Sequence, residues 1–362
     1  MIISQIYNKH FKQINKGGIV VVVKKLRTLF YLILQIPIYL ISVPTVIIIR
    51  LIRPWFLIRW QELISSRIGH FGVNTELYCC ERDAGINTPS QRYLDVFYLR
   101  KYVCNKQMEK MWRRNLIILP RWLLFPLFIV NRFISRFVSG RNYHEIGYNA
   151  NVDRDVYNLI DQSKPHINFT YDEEAEGKRL LTQFGLPEGA KFVCLIVRDS
   201  AYLDRHKKHS LRSWKYHNYR DGDIDNYVLA AEELARRGYY VFRMGAKVLK
   251  PLKSSNPKVI DYASGMRSDF MDIYLGAKCT YCVTTLSGFD GIPRIFRKPA
   301  VTLQVPLGFT PTFNDTDLVL TKHHINKKNK KELTVSEIFS YNVAISLRSE
   351  EFEQNDVMLE EN

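Results

Sequence analysis

The C-terminal half of the chain alternates regularly between strand-like and helix-like segments. Strand-like runs such as "KFVCLIV", "YYVFRMG" and "TYCVTT" are separated by helical patterns such as "DNYVLAAEELARRG" and "DFMDIYLGA". Gly or Pro stands at many of the connections between them. This alternation predicts a parallel, doubly wound sheet with helices on both faces. Ligands of such sheets bind in the loops beyond the carboxyl ends of the strands.

Four loops that follow predicted strands carry residue types typical of an anion site. Arg198 in "VRDSAYLD", Arg243 in "FRMGAK" and Arg267 in "GMRSDF" are three of them, and "LSGFDG" presents Ser287 and Gly288. Guanidinium groups bind phosphate oxygens in a fork, and a hydroxyl group and backbone amides at a helix start stabilise the same charge. The pattern therefore predicts a diphosphate site. The same loops supply supporting residues, namely Asp199, Ser200, Gly245, Ser268, Asp269 and Asp290.

Each of these features also has a purely structural interpretation. Ser287 could only cap the following helix, with Asp290 completing the cap. The arginines could form ordinary ion pairs, Arg198 with Asp199 or Asp204 and Arg243 with Asp261. The diphosphate prediction depends on their combination at equivalent strand ends of one sheet.

No metal or cofactor is expected from the motifs. Asp221, Asp223 and Asp225 alternate in "RDGDIDNY", but no Glu follows at the calcium-loop position, so Asp223 or Asp225 is interpreted as a helix N-cap. Cys279 and Cys282 lie in a strand-like run without a second Cys/His pair at zinc spacing, and we interpret the six cysteines as reduced. Neither a Walker lysine loop nor a GxGxxG is present.

The basic charge of the chain is confined to its N-terminal part. Residues 1–142 contain 22 of the 52 Lys and Arg residues but 6 of the 36 Asp and Glu residues, which accounts for the whole net charge of +16. Within this part, residues 28–49 contain no charged side chain, and 22 residues suffice to cross a hydrocarbon core if helical. We predict a membrane anchor. Basic residues on both flanks, with Pro37 and Pro44 inside, leave a single span and a re-entrant helix both open.

A second apolar stretch, residues 111–137, mixes aromatic residues with five arginines. This composition favours a segment that lies in the headgroup layer of an anionic membrane, and a buried helix pair is the alternative. Nucleic acid is not an expected partner, because no recognised binding motif accompanies the charge.

These observations predict four parts of the chain. They are a basic N-terminus with its anchor (1–59), an α/β domain with the interfacial segment (60–165), a second α/β domain that carries the anion site (166–345) and an acidic tail (346–362).

The ordered motifs resemble a family of bacterial glycosyltransferases that occur with surface-polysaccharide genes. The likeness extends over "FVCLIVRDSAYLD", "DYASGMRSDFMDIYLGAKC" and "SGFDGIPRIFRKPAV", and "RIGHFGVNTELY" looks like the family's N-terminal glycine loop. More distantly, the C-terminal half resembles the donor domain of two-domain (GT-B) transferases, including protein O-fucosyltransferases. Where that pattern has a His before the arginine, this chain has Ile196.

The resemblance implies a GT-B-like fold of two Rossmann-like domains, preceded here by the anchoring helix. It also implies sugar transfer from a nucleotide-sugar donor, without a metal, to a lipid-linked or polysaccharide acceptor at the cytoplasmic face of a bacterial inner membrane. Anionic lipids would be further partners. The matching donor residues are Arg198 and the Ser287–Gly288 loop. An inverting reaction needs a base, for which the N-terminal loop offers His70 first and Glu76 or Asp83 next.

Two alternatives remain open from the sequence. A non-catalytic membrane assembly protein could keep a degenerate nucleotide-sugar fold, and Ile196 favours that interpretation. A polyol-phosphate or phosphoglycosyl transferase is equally compatible with the anchor.

Overall fold

A computed structural model describes residues 19, 21–23, 26, 35–147, 155–205, 214–307 and 315–362. Residues 28–34 of the predicted anchor and most of the basic N-terminus lie outside the described residues. The strands are β1 (Leu57–Leu63), β2 (Tyr93–Leu99), β3 (Phe192–Ile196), β4 (Tyr240–Arg243), β5 (Val259–Ile260), β6 (Tyr281–Thr284), β7 (Ala300–Val305), β8 (Leu318–Thr321), β9 (His323–Asn326) and β10 (Val357–Glu360).

The helices differ widely in length. They are α1 (Gln35–Ile52), α2 (Thr75–Asp83), α3 (Lys106–Asn115), α4 (Arg121–Ile134), α5 (Arg141–His144), α6 (Leu159–Gln162), α7 (Tyr171–Gln183), α8 (Ala201–Arg205), α9 (Val228–Arg236), α10 (Asp269–Lys278), α11 (Gly291–Ile295), α12 (Val335–Ser340) and α13 (Ser349–Gln354). A π-helical turn (His70–Asn74) precedes α2, and 3₁₀ turns occupy Lys215–Arg220, Ile224–Tyr227 and Tyr262–Ser264.

The chain forms two compact units that interleave along the sequence. The first comprises residues up to 62 together with 89–98 and 117–147, and the second comprises 63–88, 99–116 and the residues from 148 onward. The predicted boundaries at 59 and 165 do not separate these units. The glycine-loop segment that follows β1 belongs to the second unit, with the C-terminal half.

The second unit is built on a six-stranded sheet in the order β5-β4-β3-β6-β7-β8. All five neighbouring pairs are parallel. All five residues of β3 are buried, as a strand covered by helices on both faces requires. The prediction of a parallel α/β sheet is thus confirmed for the C-terminal half. A second sheet of this kind is not seen among the described residues, where β1 pairs with β2 and β9 with β10.

The C-terminal segment is part of the fold. Strand β10 pairs antiparallel with β9, and Phe352 of α13 is buried in a small apolar cluster with Ile338 and Val343. The predicted acidic tail at 346–362 therefore contains a helix and a strand that pack within the second unit.

The first unit packs α1 and α4 around the β1-β2 pair. Val46 and Ile49 of α1 and Leu127 of α4 are buried with Trp60 and Tyr98. Arg50 of α1 donates a hydrogen bond to Asn131 Oδ1 of α4 at 2.9 Å. The predicted interfacial segment 111–137 consists of the end of α3, a link that bridges to β2, and α4.

Helix α1 is the one helix among the described residues that is long and apolar enough to cross a membrane. Only 17% of its residues are buried within the structure. The core helix of a soluble protein or a signal sequence can have the same length and composition.

Candidate functional site at the switch point of the sheet

The loops after β3 and β6 lie at the point where the strand order of the sheet reverses. From β3 the chain crosses to β4 on one side, and from β6 it crosses to β7 on the other. In parallel sheets the loops at such a point diverge farther along the chain, and ligands bind in the region beyond the carboxyl ends of the strands, which is called the crevice below. The two sequence features with the strongest phosphate-binding pattern, Arg198 and Ser287–Gly288, are on these loops.

Backbone and hydroxyl hydrogen bonds hold the two loops together. The Arg198 amide donates to Thr285 Oγ1 at 2.8 Å, and the Thr285 amide donates to the Ile196 carbonyl at 3.1 Å. The next residue, Leu286, has a left-handed backbone with φ +56°. Such a conformation is costly for a branched side chain and persists only where the surroundings impose it, which is common at ligand sites. It turns the chain so that Gly288 is exposed.

Ser287 closes a local turn. Its Oγ accepts a hydrogen bond from the Phe289 amide at 3.2 Å. Helix α11 begins only at Gly291, three residues later than predicted, and has five residues. Its N-cap is Asp290, which makes no side-chain capping bond. The alternative of Ser287 as the helix cap is therefore wrong.

Asp290 lies in the interior below this loop. Its Oδ2 is 3.4 Å from Arg294 Nη1, and burial raises the pKa of its carboxyl group. Asp290 is thus a structural support of the Ser287 loop.

Arg198 is a buried cation at the edge of the crevice, with 10% of its side chain exposed. It forms an ion pair with Asp221 and donates to the His217 carbonyl at 3.2 Å. Burial, followed by the charge of Arg220, lowers the pKa of Arg198 to about 10. Neither Asp199 nor Asp204 is its ion-pair partner, contrary to the alternative interpretation of the sequence.

Further cations surround Arg198 that the sequence did not single out. Arg220 Nη2 donates to the Leu286 carbonyl at 2.7 Å, and Lys322 Nζ donates to the Asp221 carbonyl at 2.9 Å. Arg67 lies 5.2 Å above the Trp214 ring. Arg220 is therefore tied to the loop after β6, and Lys322 to Asp221, the ion-pair partner of Arg198. The crevice is consequently a strongly cationic environment, suited to a multiply charged anion.

The aspartates of "RDGDIDNY" are engaged elsewhere. Asp223 caps the 3₁₀ turn by accepting from the Asp225 amide at 3.0 Å, as the N-cap interpretation predicted. Asp223 and Asp225 both bind Lys250 Nζ, at 2.6 and 2.5 Å.

Arg243 does not reach the crevice. Its side chain is 1% exposed and lies 3.6 Å from Asp261 Oδ1, the ion pair foreseen as its alternative. Burial lowers the pKa of Arg243. A group with so little exposure in the core of the sheet contributes charge to the surrounding field and makes no contact at the surface.

Arg267 is tied to the start of α10. Its Nη2 is 2.5 Å from Asp272 Oδ2. Burial lowers the pKa of Arg267, but the charge of Asp272 and the hydrogen bond to it outweigh burial, so that the pKa is raised. Ser268 caps α10 by accepting from the Met271 amide at 3.1 Å. Asp269 accepts from the Lys106 amide at 2.8 Å and so fastens α3 to α10. These residues stabilise the helix pair.

The remaining supporting residues shape the loops after β3 and β4. Asp199 accepts from the Ala201 amide and from the Leu249 amide, both at 2.9 Å, and thereby links the two loops. The Ser200 carbonyl begins α8 by accepting from the Leu203 and Asp204 amides. Gly245 has φ +154°, and a Cβ there would lie 2.6 Å from Val248 Cγ1.

Of the three candidate bases, His70 is the one whose chain neighbour, Gly69, contacts the Ser287 loop. Its neighbour Gly69 packs directly on Gly288, and a Cβ on Gly69 would lie 2.9 Å from the Gly288 carbonyl oxygen. His70 Nδ1 is 3.4 Å from Asn74 Oδ1. The glycine of the N-terminal loop is therefore required by a close backbone approach, which brings the predicted loop to the candidate site.

Glu76 and Asp83 belong to a different cluster. Glu76 is fully buried, 2.7 Å from Arg297 Nη2 and 3.0 Å from His166 Nδ1, and Asp83 is 2.9 Å from His166 Nε2. Hydrogen bonds to Cys80 and then to Glu76 raise the pKa of His166 to about 10. Glu76, Cys80 and His166 are close enough to share a metal ion. The guanidinium group of Arg297 and a protonated imidazole disfavour a cation there, and we interpret the group as a buried ion-pair network.

Comparisons with known proteins give similarity of fold. No family model and no curated protein matches the chain. Among solved structures, it is similar to the glycosyl transferase family 9 protein from Veillonella parvula DSM 2008, with 12% identity, 73% of this chain and 85% of that chain covered, and a TM-score of 0.46. It is also similar to the E. coli ADP-heptose lps heptosyltransferase II, with 14% identity, 72% and 90% covered, and a TM-score of 0.45.

A third alignment is with the E. coli heptosyltransferase WaaC with ADP-2-deoxy-2-fluoro heptose, at 12% identity, 72% and 92% coverage, and a TM-score of 0.35. All three TM-scores are below 0.5, so these alignments carry no argument about function.

Proposed function

We propose that the chain is a glycosyltransferase that moves a sugar from a nucleotide-sugar donor to an acceptor hydroxyl in cell-surface glycan synthesis. The observation that carries this proposal is that the backbone amide of Arg198 and the guanidinium group of Arg220 both bind the segment that leads to Ser287–Gly288, at the switch point of a parallel sheet. Guanidinium groups are the side chains best suited to bind the oxygens of a diphosphate. The motif resemblance of the sequence supports the same proposal.

The proposed reaction balances as a substitution at the anomeric carbon. The acceptor oxygen forms a bond to that carbon, the bond to the donor phosphate oxygen breaks, and the electron pair stays on the nucleoside diphosphate. Negative charge therefore develops on the phosphate. Preorganised cations such as Arg198 stabilise that charge where they meet it in a partly desolvated site. The acceptor proton passes to a base, for which we propose His70.

We propose that the reaction needs no metal. Asp223 and Asp225, the residues of the sequence that best match a divalent-cation motif, hold Lys250 and a backbone amide. Full activity in the presence of EDTA is expected. Loss of activity with EDTA and its recovery with a divalent cation would contradict this part of the proposal.

We propose further that the first unit holds the enzyme at a membrane beside a lipid-linked acceptor. Large apolar side chains are exposed on α1 and on α4 and the segment after it, namely Ile36, Leu40, Ile41, Ile47, Ile48, Leu51, Trp122, Leu123, Phe133 and Phe137. Arg53, Arg121 and Arg136 accompany them in the chain. A basic side chain near an anionic leaflet adds about 1 kcal/mol to binding.

The membrane part has its own test. The full chain should float with anionic phosphatidylserine vesicles, and Trp122→Ser with Phe133→Ser should weaken that binding severalfold. Leu318→Ser is the matched control, since Leu318 is as exposed as Trp122, each at 65%, but belongs to the second unit. Equal binding of all three proteins would refute α4 as the docking surface.

Binding and product analysis test the enzymatic proposal. The full-length protein in detergent is titrated with ADP-, GDP- and UDP-glucose and the corresponding diphosphates. Binding of at least one nucleotide is expected, and Arg220→Gln should weaken it roughly tenfold because a charge-assisted hydrogen-bonding group is lost. Arg236→Gln, in an exposed pair with Glu233, is the control.

The outcomes separate the alternatives. Absence of binding to every nucleotide would favour the non-catalytic assembly protein. With donor and a membrane extract as acceptor source, the product should carry the sugar and release nucleoside diphosphate. Release of nucleoside monophosphate, with phosphate retained on the product, would identify a phosphoglycosyl transferase instead.

A further inference from the structure

The 3₁₀ turn Lys215–Arg220 places one histidine among the cations of the candidate site. The His217 carbonyl accepts from Arg198 Nη1 at 3.2 Å. Its ring stacks on Trp214 at a centroid distance of 6.1 Å and lies 4.1 Å from the Tyr216 ring. His217 is thus fixed both to Arg198 and to an aromatic pair.

One ring nitrogen of His217 is unsatisfied. Nδ1 is buried, and none of the residues that the structure describes is its hydrogen-bond partner. A buried polar atom without a partner costs about 1–3 kcal/mol, so its retention calls for an explanation. Neither the proposed transfer chemistry nor the fold of the turn uses this nitrogen.

The charges around His217 come from several elements of the second unit. The titratable and charged groups of these elements are Arg67 before the π turn, Arg198 after β3, Tyr216, Tyr219, Arg220 and Asp221 in and after the 3₁₀ turn, Lys322 before β9, and Arg348, Glu350 and Glu351 at α13. Burial first, and then the charges of Arg220, Arg198, Arg67 and Arg348, lower the pKa of His217 to about 4. The imidazole is therefore neutral at pH 7 in the ligand-free site.

We propose that His217 takes up one proton from solvent when a nucleotide-sugar diphosphate binds between Arg198, Arg220 and the Ser287 loop. This inference rests on the proposed function. The bound diphosphate offsets the repulsion that keeps the imidazole neutral, and an opposite charge nearby raises the pKa of a group by about 1–3 units. The site thereby gains one positive charge only when it is occupied.

The consequence for the reaction concerns the leaving group. When the bond to the anomeric carbon breaks, the nucleotide acquires one further negative charge. The proton already on His217 then opposes that charge at a fixed position, without a bond being made or broken at the imidazole. His217 acts in this scheme as a positioning and charge-balancing residue.

Proton uptake is measured directly by calorimetry of the full-length protein in detergent. The probes are ADP-, GDP- and UDP-glucose, whose diphosphate has no group that titrates near neutral pH. Binding of the preferred probe is measured between about pH 5 and pH 7, below the ordinary imidazole pKa, in buffers of different ionisation enthalpy. For the wild type, the observed enthalpy should rise with buffer enthalpy with a slope approaching one proton taken up.

The affinity for the nucleotide-sugar should depend on pH for the same reason. Lowering the pH should tighten binding in the wild type by up to about tenfold per unit, because a proton is bound with the ligand. His217→Gln keeps a polar side chain but cannot titrate, and should bind with neither buffer dependence nor that pH dependence. His323→Gln should behave as the wild type, because His323 lies on β9 and pairs with Glu332.

Each outcome decides a separate point. Binding without buffer dependence in the wild type overturns the role of His217 and leaves the proposed function standing. An unchanged slope in His217→Gln overturns it equally. If none of the probes binds, both the proposed function and this inference fail. The wild-type measurement needs no variant, so misfolding of His217→Gln cannot conceal the result.

Discussion

Two clusters of ionisable side chains in the second unit contain similar residue types but differ in their balance of charge. Around Glu76, the guanidinium group of Arg297 and the imidazole of His166 both meet one buried carboxylate, and the pKa of His166 is raised to about 10. Around Arg198, whose guanidinium group pairs with Asp221, Arg220 and Arg67 add further positive charge, and the pKa of His217 is lowered to about 4. The first arrangement satisfies its charges internally. The second is left with a cationic field that an anionic ligand can satisfy.

The comparison teaches where to look for function in such a fold. A charged residue whose partners neutralise it contributes to stability, as Glu76 does. A charged residue held among like charges stores unfavourable electrostatic energy, which is typical of binding sites. Two of the predicted bases, Glu76 and Asp83, belong to the first cluster, and Arg220 and His217 lie in the second, which is the candidate site.

The largest expected effect comes from removing the central charge of the balanced cluster. Glu76→Gln leaves Arg297 and His166 without their buried counter-charge, and breaking a buried pair in this way costs about 3–5 kcal/mol. We expect the free energy of unfolding to fall by that amount in urea titrations. Glu176→Gln, in an exposed pair with Arg179, should change it by less than about 0.5 kcal/mol. Equally small changes in the free energy of unfolding for both substitutions would contradict the proposed difference between the buried and the exposed ion pair.

The corresponding change in the cationic cluster should affect turnover. Arg198→Gln is expected to lower kcat by about 100- to 1,000-fold, measured as release of nucleoside diphosphate, because a preorganised donor to the leaving group is lost. Arg179→Gln serves as the exposed control. If Arg198→Gln kept wild-type turnover, the Arg198–Asp221 ion pair would be merely structural, and the site would lie elsewhere.

An anion should stabilise the cationic cluster through occupancy. Inorganic pyrophosphate at about a hundredfold its Kd should raise the free energy of unfolding by about 2.7 kcal/mol, seen as a higher Tm. The same addition to Arg198→Gln should have a much smaller effect at the same concentration. An equal rise in Tm for both proteins would indicate binding at some other surface.

The two histidines should show opposite pH dependences of stability. Because the folded-state pKa of His166 is raised, its contribution to stability is fully present below about pH 6.5 and is lost as the pH rises through about 10. The folded-state pKa of His217 is lowered, so the folded protein loses stability as the pH falls from about 6.5 toward 4.

Substitution of each histidine tests which loss of stability it causes. When the free energy of unfolding is measured across pH, the loss at alkaline pH should be absent in His166→Gln. The loss near pH 4 to 6 should be absent in His217→Gln. If both losses of stability persisted in both variants, neither histidine would be their cause.

The sequence predicted the parts of the site that follow directly from strand alternation. Arg198 and Ser287–Gly288 come at strand ends, and parallel strands bring their carboxyl ends to one edge of a sheet. It did not predict Arg220, His217 or Lys322. These residues lie outside the strand-end loops, in a 3₁₀ turn and in the link between β8 and β9, where no periodic pattern marks a functional residue.

The sequence also could not distinguish between arginines of the same kind of loop. Arg198, Arg243 and Arg267 follow three strand-like segments in similar contexts, yet Arg243 is enclosed with Asp261 and Arg267 with Asp272. Arg198 also pairs with a carboxylate, that of Asp221, but it lies beside Arg220 as well, and which charges meet a strand-end guanidinium group depends on the neighbouring elements.

By itself, then, the amino-acid sequence determined the strand and helix alternation, the parallel sheet of the C-terminal half and the confinement of positive charge to the N-terminal part. Only the tertiary structure decided which charges are paired. Hydrophobic periodicity is local and can be read along a chain, whereas the pairing of ions depends on contacts between residues such as Glu76 and Arg297, which lie far apart in sequence and meet only in the packed fold.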